Sequence, residues 1–353
     1  MMARQLLLNA QARLGTNDVS TTFAFAIFAA IVAVVNIEVV LRSEGYRPTV
    51  ADTPILWAYH RREVDRSGES GVALIGTSRM MIGFSTDAFD RRFPALRASQ
   101  LALQGSSPMT VLQDLARDPD FRGTVICEFP EALWMAGPEY FKHEYLDFSH
   151  QEASWKTDMT VRIDGFLRER FCCRNPELGL DKVVAAWVQK RTWPTREYGP
   201  IRFDRHQIAD YRDHPRVAER ARATTVLRMQ ALLKRLEPSI PNPDAWLKGV
   251  LAIEPDLARI RSKGGQAVFV RFPSTDETWL LEERSYPKKR YWDRFAAATS
   301  GIPIHFLDVP ALARTDCPDT SHIDARDADD FTNNLLNEIV ARGALRDGIR
   351  AAP

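Results

Sequence analysis

Surplus charge of either sign is almost missing from this chain: 47 Lys and Arg side chains stand against 46 Asp and Glu, a formal charge of +1. That balance removes the electrostatic case for a nucleic-acid-binding protein, which needs a basic surplus to neutralise phosphates. Cysteine is scarce as well. The four residues Cys127, Cys172, Cys173 and Cys317 include no C-x-x-C pair, so the spacing expected of a zinc or dithiol redox site is absent. Cys172 and Cys173 are adjacent and read as idle or partly buried thiols. Outside the cytoplasm a disulfide such as Cys127–Cys317 becomes open to the chain, although sequence alone cannot pair cysteines. There is no internal repeat and no low-complexity tract. What remains is ordinary for a folded protein. The 353 residues are 45% hydrophobic and 26% charged, enough for one large domain or two modest ones.

One hydrophobic run is long. Residues 23–35, FAFAIFAAIVAVV, are apolar without a break, and the stretch continues to Leu41 interrupted only by Asn36 and Glu38. As a helix it covers a hydrocarbon core of ~30 Å. It is apolar on every face, which a helix of a soluble domain is not. A buried core helix and a cleaved signal peptide are the competing readings. The run starts late and no small-x-small cleavage site follows it before Arg42, so an uncleaved anchor over 21–41 is expected. Arg4 and Arg13 precede it and Arg42 and Arg47 follow, so the flanking charges give no orientation. MARQLLLNAQARL, just ahead, suggests a short interfacial helix.

After the anchor, residues 42–68, with Pro48, Pro54 and the Arg61-Arg62 pair, read as a linker with some structure. From residue 69 to about 345 short apolar runs alternate with helical patterns. The runs are 72–75, 98–103, 124–129, 267–272 and 302–307. Pro108 opens a helical MTVLQDLA, 244–262 and 288–299 precede the last two runs, and 325–342 reads as a final helix. This alternation predicts an α/β fold with a parallel sheet covered on both faces. Residues 134–243 break the rhythm. They are aromatic, charged and mostly helical, with HPRVAERARATTVLRMQALLKRLEP as the clearest helix. They read as an insertion on one edge of the core, forming a cap or a partner surface. Residues 346–353 are a tail.

Two short segments carry candidate chemistry. The first is Gly76-Thr77-Ser78-Arg79, directly after the first strand, where Ser78 offers a hydroxyl at a strand's C-terminal edge; ligands of open parallel sheets bind at that edge. The second is Asp319-Thr320-Ser321-His322. In one tight turn a carboxylate three residues before a histidine can hold one imidazole nitrogen, leaving the other to take a proton from a hydroxyl. Alone, each pattern is weak, and His322 also reads as a surface-turn histidine. Their shared place in one α/β core makes Ser78, Asp319 and His322 a candidate catalytic set. His305 lies inside a strand-like run and reads as structural. His143, His150, His206 and His214 are too scattered for a metal site, so no metal is expected. In WPTREYGPIRFDRH, aromatics and arginines have the composition to stack on sugars, or to pack within the insertion.

With those blocks in view, the chain resembles the SGNH or GDSL hydrolases. Their first block puts a nucleophilic serine just after the first strand, here Ser78. Their last block is a D-x-x-H before a helix, here Asp319 to His322. Their second block, N-x-x-x-x-G, is matched by QLALQG, with Gln100 for the Asn and Gly105 in the glycine position. The resemblance covers roughly 71–129 and 245–342. It implies a flavodoxin-like three-layer fold, a Ser78 acyl-enzyme, and an oxyanion hole from the N–H groups of Ser78 and Gly105, with no cofactor. Arg79 and Gln100 become candidate substrate or oxyanion contacts; the plainer reading of Arg79 is a surface or salt-bridged arginine. One block departs. Where the family has G-x-N-D with an Asn donor, the third strand here ends CEFPEALW, and Glu128 cannot donate to an oxyanion while ionised.

The layout of one N-terminal anchor, an SGNH-like domain and a helical insertion is similar to the accessory acyl-transfer proteins of bacterial envelope polymers, such as those of lipoteichoic acid D-alanylation and alginate acetylation. That resemblance implies an extracytoplasmic domain tethered to the cytoplasmic membrane. It also implies a polysaccharide acceptor and a multi-pass membrane-bound O-acyltransferase as partner. Two alternatives stand beside it: a catalytically weak adaptor that positions polymer or docks the acyltransferase, and a membrane-tethered esterase or lipase.

Overall fold

The structure, a computed structural model, describes residues 2–136, 140–190, 199–237 and 242–345. Two compact units are present, one comprising residues 1–49 with 167–197 and the other 50–166 with 198–353. The insertion expected over 134–243 is therefore not one body, because residues 167–197 group with the N-terminal segment. The tail at 346–353 lies outside the described residues, as do residues 193–198 of the aromatic and arginine-rich stretch.

In the first unit, Met2–Ser43 is one unbroken helix. The short interfacial helix expected over residues 2–14 is simply its beginning. Its stretch Ser20–Ser43 is long and apolar enough to cross a membrane, and none of its most apolar window is buried in the protein. Glu38 accepts the backbone N–H groups of Cys172 (2.8 Å) and Cys173 (3.2 Å) and the Nε–H of Arg42 (2.7 Å).

The second unit is built on a five-stranded parallel sheet: β1 (Gly71–Ile75), β2 (Arg97–Gln100), β3 (Thr124–Glu128), β4 (Gln266–Arg271) and β5 (Ile302–His305), in the order β2-β1-β3-β4-β5. Alternation of side chains about each strand splits the core in two. Ala73, Ile75, Val125, Cys127 and Phe269 point to one face, under Trp57, Trp134, Trp246 and Trp292. Val72, Leu74, Ile126, Val268 and Ile304 point to the other, under Met80, Phe89, Phe331 and Leu335. Burying each large side chain contributes about 1.5–3 kcal/mol, and helices on both faces explain why the strands are apolar at successive positions. The same alternation rules out the Cys127–Cys317 disulfide. The two sulfurs belong to opposite core clusters, and all four cysteines are free.

Residues 42–68 are less of a linker than expected. Pro54–Ser67 is a helix capped by Thr53, with Trp57 and Val64 fully buried, and it packs on β1, β2 and the helix His143–Gln151. Arg61 is buried on it among Asp65, Asp114 (2.8 Å) and Asp118 (2.6 Å). From β1 the chain builds β2 on one side and β3 on the other. The order therefore reverses at β1, and its C-terminal end is the crevice where doubly wound sheets hold their ligands.

Candidate active site

Four apolar residues, Val72 to Ile75, carry β1 into the crevice, and Gly76 ends it. Gly76 has φ +154°, and a Cβ there would lie 2.7 Å from Glu128 Cβ and 2.9 Å from Met80 Cβ, so no other residue fits. Glu128, at the end of neighbouring β3, is buried and accepts the N–H (2.6 Å) and the hydroxyl (2.8 and 3.0 Å) of Thr77. The Thr77 hydroxyl in turn accepts the N–H of Arg79 at 3.3 Å and caps the short helix Ser78–Gly83. Glu128 thus fixes the turn that presents Ser78.

The second segment is a tight turn closed on its own carboxylate. Asp319 Oδ1 accepts the N–H groups of Ser321 (3.0 Å) and His322 (2.7 Å). Oδ2 lies 2.7 Å from His322 Nδ1 and also accepts the hydroxyls of Tyr211 (2.8 Å) and Thr225 (3.3 Å). Burial opposes ionisation of Asp319, but the imidazole of His322, its hydrogen bond and the two backbone N–H groups hold the carboxyl well below the ordinary range. Thr320 inside the turn has φ +75°, uncommon for a β-branched residue. Its carbonyl accepts Thr275 N–H (3.0 Å), its own N–H donates to Cys317 O (2.7 Å), and its hydroxyl pairs with that of Thr278 (2.6 Å). These contacts hold a conformation costing ~1–3 kcal/mol, of the kind found where a site must be shaped.

The two segments meet. Ser78 Oγ is 2.7 Å from His322 Nε2 across 244 positions of sequence. With Nδ1–H donated to the ionised Asp319, Nε2 is the acceptor of the serine proton, a tautomer assigned from its partners. The His322 side chain is 17% exposed against 2% for Asp319, so the imidazole reaches solvent while its partner stays dry. The chain matches no family model and no curated protein. A functional reading therefore rests on side-chain geometry.

Gly105 sits in a loop laid along the turn that presents Ser78. Leu101 N–H donates to Leu74 O (2.7 Å) and Leu103 N–H to Gly76 O (2.9 Å). Gly105 itself has φ +65°. No described residue accepts a hydrogen bond from the N–H of Ser78 or of Gly105, which leaves both donors open. Arg205, fully buried, steadies this loop by donating to the carbonyls of Gln100 and Ala102 and to Asp52.

Two expected contacts are corrected. Gln100 is fully buried, with its amide nitrogen on Met80 O (3.3 Å) and its amide oxygen on Ala102 N–H (3.1 Å). Neither end faces a substrate, because the residue braces the loop against the helix after Ser78. Arg79 is buried too. Its Nε–H donates to Ser321 Oγ (3.0 Å) and its Nη2 pairs with Glu282 (2.7 Å). It ties the Ser78 turn to the Asp319–His322 turn through Ser321 rather than standing free for a substrate. Glu282 also binds Arg271 (2.6 Å) and the Ser274 hydroxyl (2.6 Å), and Arg271 continues to Glu131 (2.8 Å).

Burial works against the Glu282 carboxylate, but Arg271 and Arg79 outweigh it and lower its pKa to about 2 from 4.5. Because the folded-state value is depressed, its contribution to stability is present above about pH 4.5 and is lost as pH falls toward 2. Replacing Glu282 by Gln takes the carboxylate from buried Arg79 and one of two from buried Arg271, and should cost about 3–5 kcal/mol. Urea unfolding at pH 7 checks the loss. Repeated at pH 3, the gap between variant and wild type should narrow; an equal gap at both pH values would contradict the assignment.

Tyr211 and Thr225 carry no sequence signal for the site. Tyr211 follows an irregular stretch, and its position is set from outside: buried Asp324 accepts the N–H groups of Tyr211 (2.9 Å) and Arg212 (3.0 Å). Thr225 lies on the helix Pro215–Leu236. His305 is buried, stacks on Phe306 and accepts Leu307 N–H (3.1 Å); burial, Arg271 and Lys288 lower its pKa to about 2, so it is a neutral packing group. Among the described residues no group of three or more His, Cys, Asp and Glu side chains is arranged to hold a metal ion.

Proposed function

We propose that this protein is a membrane-anchored serine acyltransferase or esterase of SGNH type. The observation that carries the reading is the relay from Ser78 Oγ through His322 to Asp319, with 2.7 Å at each junction. Such a relay serves nucleophilic acyl transfer. Ser78 Oγ attacks the acyl carbonyl carbon as its proton passes to His322 Nε2. The N–H groups of Ser78 and Gly105 receive the oxyanion. Collapse breaks the bond to the leaving group, which takes the proton from His322, and leaves the acyl group on Ser78. An incoming hydroxyl then gives its proton to Nε2 and attacks the ester carbonyl; the bond to Ser78 Oγ breaks, and Oγ takes that proton back from Nε2. A sugar hydroxyl makes the protein a transferase; water makes it an esterase or lipase.

The apolar helix supports tethering to a membrane. The finer reading draws on the resemblance to envelope-polymer acylation proteins. In it the domain stands on the extracytoplasmic side of a bacterial cytoplasmic membrane, takes a polysaccharide as acceptor, and works beside a multi-pass O-acyltransferase. A second reading has its own observation. Glu128, at the end of β3, holds Thr77, and the Gln100 amide is occupied, so neither side chain is left to donate to the oxyanion. Losing one donor typically costs ~10²–10³ in rate, which favours a weakly catalytic adaptor.

Incubating the full chain in detergent with an activated acetyl ester, then mapping acetylated peptides by mass spectrometry, separates the two. The acyl-enzyme reading expects an acetyl group on the peptide bearing Ser78, lost in His322→Ala. No adduct under any ester concentration would leave the adaptor.

A further inference from the structure

The first unit holds a feature that acyl chemistry does not use. Glu38 is the first charged residue after the apolar run of the N-terminal helix, and a short segment is clasped to that end. Cys172 and Cys173 N–H donate to Glu38, Arg42 Nη2 donates to Arg170 O (2.7 Å), and Asn175 Nδ2 donates to Arg47 O (3.1 Å). The Cys172 thiol bonds Tyr46 O at 3.3 Å. Glu38 lies roughly 7–8 Å before Ser43 along the axis at ~1.5 Å per residue, so the clasp grips the helix where it leaves the hydrocarbon.

From the clasp the chain turns at once into another helix. Leu178 N–H bonds Asn175 O (3.0 Å), Val183 N–H bonds Gly179 O (2.9 Å), and Lys182 pairs with Glu177. Even fully extended, the five steps from Asn175 to Leu180 reach no more than ~17 Å. The helix Leu180–Lys190 is therefore held near the level of the headgroups. On it Val184, Trp187 and Val188 are 51%, 68% and 68% exposed, at the i, i+3, i+4 spacing of one face. Water is a poor neighbour for two valines and a tryptophan. An indole beside aliphatic side chains at the mouth of a membrane span is what the bilayer interface selects.

We propose that Leu180–Lys190 is an interfacial membrane helix, its Val184, Trp187 and Val188 face lying in the headgroup layer of the bilayer that the N-terminal helix enters. The proposal does not depend on the serine chemistry. Its test uses the full chain in phosphatidylcholine liposomes with bromine placed high on the acyl chains. The fluorescence of Trp187 is isolated as the difference between wild type and Trp187→Phe. The difference signal is expected to lose most of its intensity to brominated lipid and to be protected from aqueous acrylamide. A second variant, Val184→Ser with Val188→Ser, keeps the indole and is expected to lose the lipid quenching. Quenching by acrylamide alone would overturn the proposal by placing the face in water. Protection from both quenchers would overturn it by placing a protein surface, such as a second copy, over the face.

Discussion

Replacing Ser78 by alanine is expected to lower turnover of an activated acetyl ester by roughly 10⁴–10⁶-fold, the range seen when the nucleophile of a serine triad is removed. The size of the loss follows from what the hydroxyl touches. Among the described residues Ser78 Oγ has one hydrogen bond, to His322 Nε2, and it takes no part in capping its own helix, which is the task of Thr77. Alanine therefore removes the hydroxyl proposed to attack and little else, and stability should move by no more than about 1 kcal/mol. The scaffold around it is over-determined: Glu128 holds Thr77, Arg79 holds Ser321, and Leu103 N–H holds Gly76 O. A melting curve measured alongside the kinetics separates lost chemistry from lost fold. Turnover in Ser78→Ala within tenfold of wild type, with the fold intact, would place the hydrolysis elsewhere on the molecule. The pairing of Ser78 with His322 would then be an ordinary hydrogen bond.

The parallel sheet was legible because strands buried on both faces are apolar at every position, a pattern that needs no partner to be recognised. Runs at 72–75, 124–129, 267–272 and 302–307 fall on β1, β3, β4 and β5 within about a residue or two at most ends. The run 98–103 overshoots β2, which stops at Gln100, because Leu101 to Leu103 are apolar for a different reason: they cover the turn at Gly76. Hidden from the sequence were polar groups whose partners lie far away in the chain. Arg79 reads as a surface, salt-bridged or substrate-binding arginine and Gln100 as a substrate or oxyanion contact; the salt bridge is the reading that holds for Arg79, but its partners Glu282 and Ser321, like Met80 for Gln100, lie far away in the chain. Arg61 made residues 42–68 look solvated, whereas its charge is met by Asp65 on the same helix and by Asp114 and Asp118 from outside it. A charge inside the fold reads like a charge in water when only its own segment is in view. Tyr211 and Thr225 are the same case: each reaches Asp319 from a segment whose local pattern says nothing about it.

Asp319→Asn should cost roughly 10³–10⁴-fold in kcat/KM while leaving Ser78 in place. The carboxylate has all its acceptor capacity in use. Oδ1 takes two backbone N–H groups, and Oδ2 takes the imidazole and the hydroxyls of Tyr211 and Thr225. An asparagine that keeps its oxygen on the backbone N–H groups turns its NH₂ toward His322. The imidazole then meets a donor where it needs an acceptor, and its neutral form shifts to Nδ1 as acceptor and Nε2 as the protonated nitrogen. In that tautomer Nε2 cannot take the Ser78 proton, so the nucleophile stays a neutral alcohol. The hydroxyls of Tyr211 and Thr225 can rotate to accept from the NH₂, so the turn should survive and the damage should be chemical rather than structural. Tyr211→Phe provides the contrast. It removes a donor but leaves the charge, the imidazole tautomer and the backbone contacts, and should retain far more activity than Asp319→Asn. Proton NMR of the Nδ1–H between His322 and Asp319, shifted downfield in wild type and in Tyr211→Phe and missing in Asp319→Asn, would tie the kinetic loss to the tautomer. An Asp319→Asn enzyme within tenfold of wild type would mean that His322 finds its orientation without the carboxylate, and the relay would no longer explain turnover.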